Sequence, residues 1–112
     1  MYKWKINDPY HGGVPDAFYS GPAGFCFVEY KYKDSLPKKG SSKIKINLSE
    51  QQRIWLRRAQ DHNLRAFTVF ASGNDVCLLT NPNIPHLCVN GFKRIANPFE
   101  DYIAFLEKIC LK

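Results

Sequence analysis

The sequence predicts an α/β domain built from a sheet and helices. Three observations support this prediction: runs of aromatic and β-branched residues bounded by turn residues, two stretches with helix-capping signals, and a hydrophobic content of 45% over 112 residues. A chain of this length suits one hydrophobic core. We therefore expect residues 1–112 to form a single domain.

The first part of the chain is predicted to contain three strands and a loop. The segment "YKWKI" alternates large apolar side chains with lysines, which is the period of two expected of a strand. "VPDAFY" and "FCFVEYKY" follow as two strands joined by the turn segment "SGPAG". From Lys33 to Lys45 the chain is polar and basic and contains Pro37 and Gly40, so we expect an exposed, mobile loop.

A capped helix and a hairpin are predicted for the middle of the chain. In "LSEQQRIWLRRAQDHN", Ser49 is a favourable N-cap, and Gln52 occupies the third helical position (N3), where it completes a capping box. The strand-like runs "LRAFTVFA" and "DVCLLT" are separated by the turn signal "SGN" and predict a hairpin. The side chains expected near one face of the helix are Ile54, Trp55, Ala59 and His62.

The chain is predicted to end in a second capped helix, after a loop over residues 82–91. We expect this helix to start at Asn97, with Pro98 at its first position and Glu100 closing a capping box. Its apolar stripe is assigned to the core, with a partner subunit as the alternative. The stripe consists of Phe99, Tyr102, Ile103, Leu106, Ile109 and Cys110.

The charge balance indicates attraction to polyanions. Sixteen Lys and Arg residues against ten Asp and Glu residues give a formal net charge of +6. Nucleic acid is the first candidate partner and an anionic membrane surface the second. No signal segment opens the chain, and no apolar run approaches the ~18 residues of a membrane span. We therefore expect a cytoplasmic protein with free thiols and no membrane partner.

Two charged residues interrupt the apolar strand "FCFVEYKY". Alternation along a strand puts Glu29 and Lys31 on one face and Val28 and Tyr30 on the other. If "VPDAF" pairs beside this strand, Asp16 reaches the same place, and two carboxylates and an ammonium group converge. Paired carboxylates repel each other unless a cation lies between them, and their hard oxygens suit Mg²⁺. We therefore expect these residues to line a catalytic edge and not the core.

The same segments resemble a known nuclease motif. "PD" followed by "EYK" in an apolar strand is similar to the PD-(D/E)XK motif, and the segments "GGVPDAF", "FVEYK", "LSEQQRIWL" and "LRAFTVFASGNDV" are similar in order and spacing to its VRR-NUC branch. The resemblance covers roughly residues 12–76. It implies a restriction-endonuclease-like mixed β-sheet flanked by helices, and a metal-dependent endonuclease. Stand-alone members occur in phages and cut branched DNA, often as dimers.

The resemblance also implies a role for each residue of the motif. Asp16 and Glu29 would be ligands of Mg²⁺ or Mn²⁺, with the backbone carbonyl of Tyr30 as a third ligand. Lys31 would be the catalytic lysine, and Gln52 would help to position the site. Many relatives carry a further glutamate on a helix before the P-D motif, whereas residues 1–14 contain none. A single metal ion is therefore the expectation.

Basic side chains are the candidates for contacts with the nucleic-acid backbone. Such contacts are independent of base sequence and sensitive to salt. The lysines belong to the loop expected before the first helix, and the two arginines lie one turn apart on that helix. The candidates are Lys38, Lys39, Lys43, Lys45, Arg53 and Arg57.

Several alternatives remain open from the sequence. Asp16 also suits a turn, Glu29 and Lys31 also suit a solvent-facing pair, and the capping box alone explains Gln52. At the level of function, the chain is alternatively a non-catalytic nucleic-acid-binding protein with a degenerate nuclease fold, or a small basic interaction or inhibitor protein. RNA is not excluded as the nucleic acid.

Overall fold

The computed structural model describes residues 1–8 and 11–111, and within these residues the chain forms eight strands and three helices. The strands are β1 (Tyr2–Lys5), β2 (Ala17–Gly21), β3 (Gly24–Tyr32), β4 (Lys43–Lys45), β5 (Ala66–Ser72), β6 (Asp75–Leu79), β7 (His86–Cys88) and β8 (Asn97–Pro98). The helices are α1 (Glu50–Asp61), α2 (Val89–Ile95) and α3 (Phe99–Leu111).

Six of the described strands form one mixed sheet in the order β1-β2-β3-β5-β6-β8. β3 and β5 are parallel, and every other neighbouring pair in this sheet is antiparallel. The parallel pair requires a crossover connection, and α1 lies in that connection. The expected α/β fold with a mixed sheet flanked by helices is therefore confirmed.

The core lies in two layers, one on each side of the sheet. On one side, which we call the α1 face, Leu56 of α1 packs with Phe70 of the sheet. On the other side, the α3 face, Val28 packs with Tyr102 and Leu106 of α3. The assignment of the C-terminal apolar stripe to the core is thus confirmed for Tyr102, Leu106 and Cys110, whereas Phe99 is exposed.

A chain of three phenols ties α3 to the sheet. The hydroxyl of Tyr30 on β3 shares hydrogen bonds with Tyr19 on β2 at 2.6 Å and with Tyr102 on α3 at 2.7 Å. Burial raises the pKa of both Tyr30 and Tyr102, so these phenols stay neutral. The network anchors β3 on the α3 face, directly behind the strand positions that carry Glu29 and Lys31.

The strand predictions are confirmed with one shift. Strands occur at each of the five predicted runs, and the turns at 22–23 and 73–74 are two residues long. The strand expected over "VPDAFY" begins only at Ala17. Asp16 consequently lies immediately before the strand, while its backbone oxygen still accepts a hydrogen bond from the amide of Ile6 at 2.7 Å.

The expectation of a mobile loop from Lys33 to Lys45 is wrong for its last three residues. They form β4, which pairs with β7 in a separate two-stranded ribbon. Ile44 is fully buried between two exposed lysines, so one apolar side chain holds the ribbon against the core. A three-residue strand with one buried position leaves only a weak alternating pattern in the sequence.

The expected loop over 82–91 is also wrong in its second half. β7 occupies its centre, and α2 follows, with the Cys88 sulfur accepting a hydrogen bond from the Gly91 amide at 3.2 Å. Val89 and Phe92 are both buried and lie three residues apart, which is helical spacing. Gly91 is unfavourable in helices, so the sequence pattern did not predict this short helix.

Two helix details also need correction. The buried side chains of α1 are Leu56 and Ala59, whereas Ile54 and His62 are exposed. The last helix begins at Phe99 and not at Asn97, because Asn97–Pro98 pairs with β6 as the sixth strand of the sheet. The expected capping box at its start is therefore wrong as well.

No helix among residues 1–8 and 11–111 is long and apolar enough to cross a membrane.

The phenol network gives a stability prediction. We expect Tyr30→Phe to lower the free energy of unfolding by about 1–2 kcal/mol, because the variant removes both hydrogen bonds and leaves two partner hydroxyls unpaired. Urea denaturation followed by circular dichroism measures the change. Tyr32→Phe is the matched control, since Tyr32 lies two residues further along β3 and is 60% exposed. Equal midpoints for the two variants would contradict a structural role for the network.

Candidate active site

The pairing of β2 with β3 brings Asp16 next to Glu29. Ala17 is opposite Val28 in the antiparallel register, so Asp16, one residue before β2, extends that register to Glu29. Asp16 is tethered there, because its Oδ2 accepts a hydrogen bond from the backbone amide of Tyr30 at 2.8 Å. The convergence expected from the sequence is therefore present in the structure.

Glu29 lies inside the protein and not at an exposed edge. It is only 3% exposed, so the alternative of a solvent-facing pair is wrong for this residue, as is the expectation that it stays out of the core. Its Oε2 accepts a hydrogen bond from Gln52 Nε2 at 3.1 Å and lies 3.5 Å from Lys31 Nζ. Its Oε1 is buried and has no hydrogen-bond partner.

The surroundings of Glu29 disfavour its ionised form. The pKa of Glu29 is raised to about 7, first by desolvation and second by the negative charge of Asp16. The Lys31 ammonium group acts in the opposite direction but does not cancel these effects. When Glu29 is ionised, two carboxylates therefore lie beside one partly exposed ammonium group, which leaves a local excess of negative charge.

Gln52 performs two tasks at once. Its Oε1 accepts a hydrogen bond from the Ser49 amide at 2.9 Å, and Ser49 Oγ accepts one from the Gln52 amide at 3.1 Å, which completes the predicted capping box. Its Nε2 donates to Glu29. A glutamate at this N3 position would cap the helix equally well but has no N–H to donate to a second carboxylate. The amide explains why this position carries glutamine.

Thr68 is a member of the site that the sequence analysis missed. It lies on β5 directly opposite Glu29 in the parallel register, is 1% exposed, and has no hydrogen-bond partner for its hydroxyl oxygen. Two unpaired polar atoms therefore occupy neighbouring buried positions on the α1 face. The signal was present in "AFTVFA", where a single polar residue interrupts an apolar strand, as Glu29 does in β3.

The loop before Asp16 packs tightly on the first turn of α1. Gly13 has a positive φ of 84°, and a Cβ added there would overlap the backbone carbonyl of Gln51. A Cβ on Gly12 would overlap the Gln51 side chain. The Gly-Gly pair thus lets the loop approach the same helical turn that presents Gln52.

The donor atoms at the site suit a hard cation. Among the described residues, no group of three or more His, Cys, Asp or Glu side chains is arranged to hold a metal ion. Asp16 and Glu29 supply two carboxylates, and Glu29 Oε1 is free to accept a ligand. Mg²⁺ is commonly held by one or two carboxylates and completed by water, so the residues present fit such an ion, with the Tyr30 carbonyl as the further ligand that the sequence suggested.

The candidate DNA-binding residues lie mainly on the surface. Arg53 is half-buried, and Arg57 lines a groove of about 780 Å³ beside the end of α1. Lys43 and Lys45 flank the buried Ile44 on β4. The side chains that are exposed, and so accessible to a polyanion, are Lys38, Lys39, Lys43, Lys45 and Arg57.

Neither the models of known protein families nor the sequences of curated proteins give a match to this chain. The geometry of the site is therefore the basis on which a function is assigned to this chain.

The raised pKa of Glu29 predicts an unusual dependence of stability on pH in the presence of a chelator. The folded state holds the Glu29 proton more tightly than the unfolded state, so stability is highest below about pH 4.5 for this group and falls as pH rises to about 7. The loss is on the order of 3 kcal/mol. Urea denaturation at a series of pH values measures it.

Glu29→Gln is the control for this titration, because it keeps the shape of the side chain and removes the ionisable group. Between pH 4.5 and 7 we expect the stability of the variant to fall less steeply than that of the wild type. Parallel profiles for the two proteins would show that Glu29 does not titrate in this range.

Proposed function

We propose that this chain is a metal-dependent endonuclease that hydrolyses phosphodiester bonds in DNA, in the manner of the PD-(D/E)XK nucleases that its motif resembles. One observation carries the proposal. Glu29 is buried beside Asp16 and Lys31, and one of its oxygens has no hydrogen-bond partner. This arrangement lowers the stability of the protein at neutral pH, and a bound cation and phosphate would offset that cost.

Each residue of the cluster has its own role in the proposed reaction. Asp16, Glu29 and the Tyr30 carbonyl would hold Mg²⁺ or Mn²⁺. When bound, such an ion neutralises charge on a phosphate and makes a water molecule more acidic. Lys31 is partly exposed and close to Glu29, so its ammonium group is placed to stabilise charge that develops on the phosphate oxygens or to orient the attacking water. Gln52 restricts the rotation of Glu29.

The reaction would be an in-line displacement. Water attacks phosphorus opposite the leaving oxygen, the P–O bond breaks, and the products are a phosphate monoester and a free hydroxyl. The exposed basic residues on β4, on α1 and in the segment before β4 would hold the DNA backbone without reading bases. The proposed preference for branched DNA is supported by the family resemblance alone.

The remaining parts of the proposal concern setting and assembly. The enzyme would act in the cytoplasm, which for a phage-encoded protein is that of the host. A domain with one active site cuts one strand, so a symmetric cut of both strands would require a homodimer.

A non-catalytic nucleic-acid-binding protein is the second candidate. The observation in its favour is the donor set: within the described residues the cluster contains two carboxylates and no third acidic, histidine or cysteine ligand. In addition, residues 2–5 form a strand, and no helix carrying a further glutamate precedes Asp16 in the described part of the chain. Such a protein would bind DNA equally well with and without a chelator and would cut nothing.

Cleavage of supercoiled plasmid and of a labelled four-way junction tests the proposal. With Mg²⁺ or Mn²⁺ we expect cleavage, and with EDTA none. Asp16→Asn and Lys31→Ala should each lower the rate by about a hundredfold or more, as expected for the loss of a group that stabilises the transition state.

Matched controls exist just beyond the end of β3. Asp34→Asn and Lys33→Ala change exposed residues just beyond the end of β3, and we expect them to retain nearly full activity. DNA binding without cleavage under either metal would instead establish the non-catalytic candidate. Equal loss in the site variants and the controls would remove the assigned roles of Asp16 and Lys31.

A further inference from the structure

A row of aromatic side chains lies beside the carboxylates on the α1 face. Phe18 is two residues from Asp16, and Phe27 is two residues from Glu29, so both pairs project to the same side of the sheet at a spacing of about 7 Å. Trp4 on β1 is opposite Phe18, which is opposite Phe27. The carboxylates and the aromatic row are therefore adjacent rows of one surface.

The rings of this aromatic row are in continuous contact. Centroid distances are 6.3 Å from Trp4 to Phe18, 5.0 Å from Phe18 to Phe27, and 5.1 Å from Phe27 to Trp55 of α1. The row thus runs from the edge of the sheet at β1 to the helix that supplies Gln52.

The outer end of the aromatic row is open to solvent. Trp4 is 49% exposed, and the flanking rings of Tyr2 and Phe25 are 59% and 40% exposed. Tyr2 and Phe25 both contact Phe18, with centroids at 6.4 and 5.7 Å. A contiguous group of exposed aromatic rings is a feature of binding surfaces and not of ordinary protein surface.

The charges around the open end suit a polyanion. Lys3 and Lys5 alternate with Trp4 on β1 and are exposed, and the strand sequences "YKWK" and "AFYSG" contain no acidic residue. A groove of about 430 Å³ along β1 is lined by Lys3, Trp4, Lys5 and Asp16, among others. The groove also contains Tyr19 and Tyr30 of the α3 face, because Lys3 and Lys5 project to that face while Trp4 projects to the α1 face. The lysines and the exposed indole therefore lie on opposite sides of the β1 edge of the sheet.

We propose that the open end of the aromatic row binds unpaired nucleotides of the nucleic-acid substrate. A base stacks on Trp4, and the nucleic-acid strand passes over the β1 edge of the sheet, so that neighbouring phosphates lie near Lys3 and Lys5 on the other side. Stacking needs a base whose face is accessible, and bases inside a duplex are already covered on both sides. The substrate class is therefore a strand with unpaired nucleotides next to the cut phosphate, as in a flap, a gap or an open branch. This inference rests on the proposed function for the position of the cut.

Binding of labelled oligonucleotides by the Asp16→Asn variant, measured by fluorescence anisotropy in EDTA, tests the proposal without cleavage. The probes are a 12-nucleotide oligo(dT) and a blunt 12-base-pair duplex. Adding Trp4→Ala should weaken binding of oligo(dT) by about five- to one-hundredfold, the loss of one base stack, and should change duplex binding less than about twofold. Trp4→Phe should retain most of the affinity. Phe99→Ala, at another exposed aromatic ring, should have no effect.

Two binding results would overturn the proposal: affinity for oligo(dT) that does not depend on Trp4, or a loss of affinity on Trp4→Ala that is equal for oligo(dT) and the duplex. A third would be a protein dimer, seen by sedimentation, that dissociates on Trp4→Ala, because this face would then be an interface between two copies. Circular dichroism of each variant shows whether it folds, and Trp4→Phe keeps the test valid if Trp4→Ala does not. Failure of the nuclease proposal is separate, because it appears as absent cleavage by wild type while oligo(dT) binding still depends on Trp4.

Discussion

The burial of one carboxyl group in the middle of the central strand is the constraint on which the site depends. An isolated carboxylate in an apolar interior is costly, and the cost is reduced only when polar partners surround it. Glu29 receives a hydrogen bond from Gln52 of α1 and lies close to Lys31 of its own strand. Thr68 lies opposite Glu29 on β5, but its hydroxyl oxygen is unpaired. The compensation is incomplete, and an incompletely satisfied buried acid is typical of sites whose final partner is a ligand.

The two faces of β3 have different roles, one structural and one chemical. The α3 face of β3 is held by neutral phenols that share hydrogen bonds, while the α1 face carries the ionisable groups. Because successive residues of a strand alternate between faces, the Tyr30 side chain anchors the strand on the α3 face, while its backbone amide holds Asp16 at the cluster. Gln52 joins the two kinds of function in one residue, since its oxygen stabilises a helix and its nitrogen positions an acid.

The sequence predicted the parts of this arrangement that depend on local pattern. The five longer strands, the capping box at Ser49 and the shared face of Glu29 and Lys31 all follow from periodicity and capping chemistry, and each is present. The β4–β7 ribbon was not predicted, because its stability comes from pairing between distant segments and from one buried isoleucine. The burial of Glu29 was missed for a related reason: a charged residue in a strand indicates exposure unless the packing of α1 is known.

The two-residue turn between β2 and β3 has a consequence for the order of folding. Hairpins with short turns form within microseconds, whereas the parallel pairing of β3 with β5 must wait for a long crossover to close. Asp16, Glu29 and Lys31 belong to the hairpin region, but Gln52 arrives only with the crossover. Early formation of this hairpin brings the two acids together, with Lys31 as an opposite charge, before the helix amide that steadies Glu29 is in place. Repulsion between the two acids opposes this step at neutral pH, and acid or counterions reduce the repulsion.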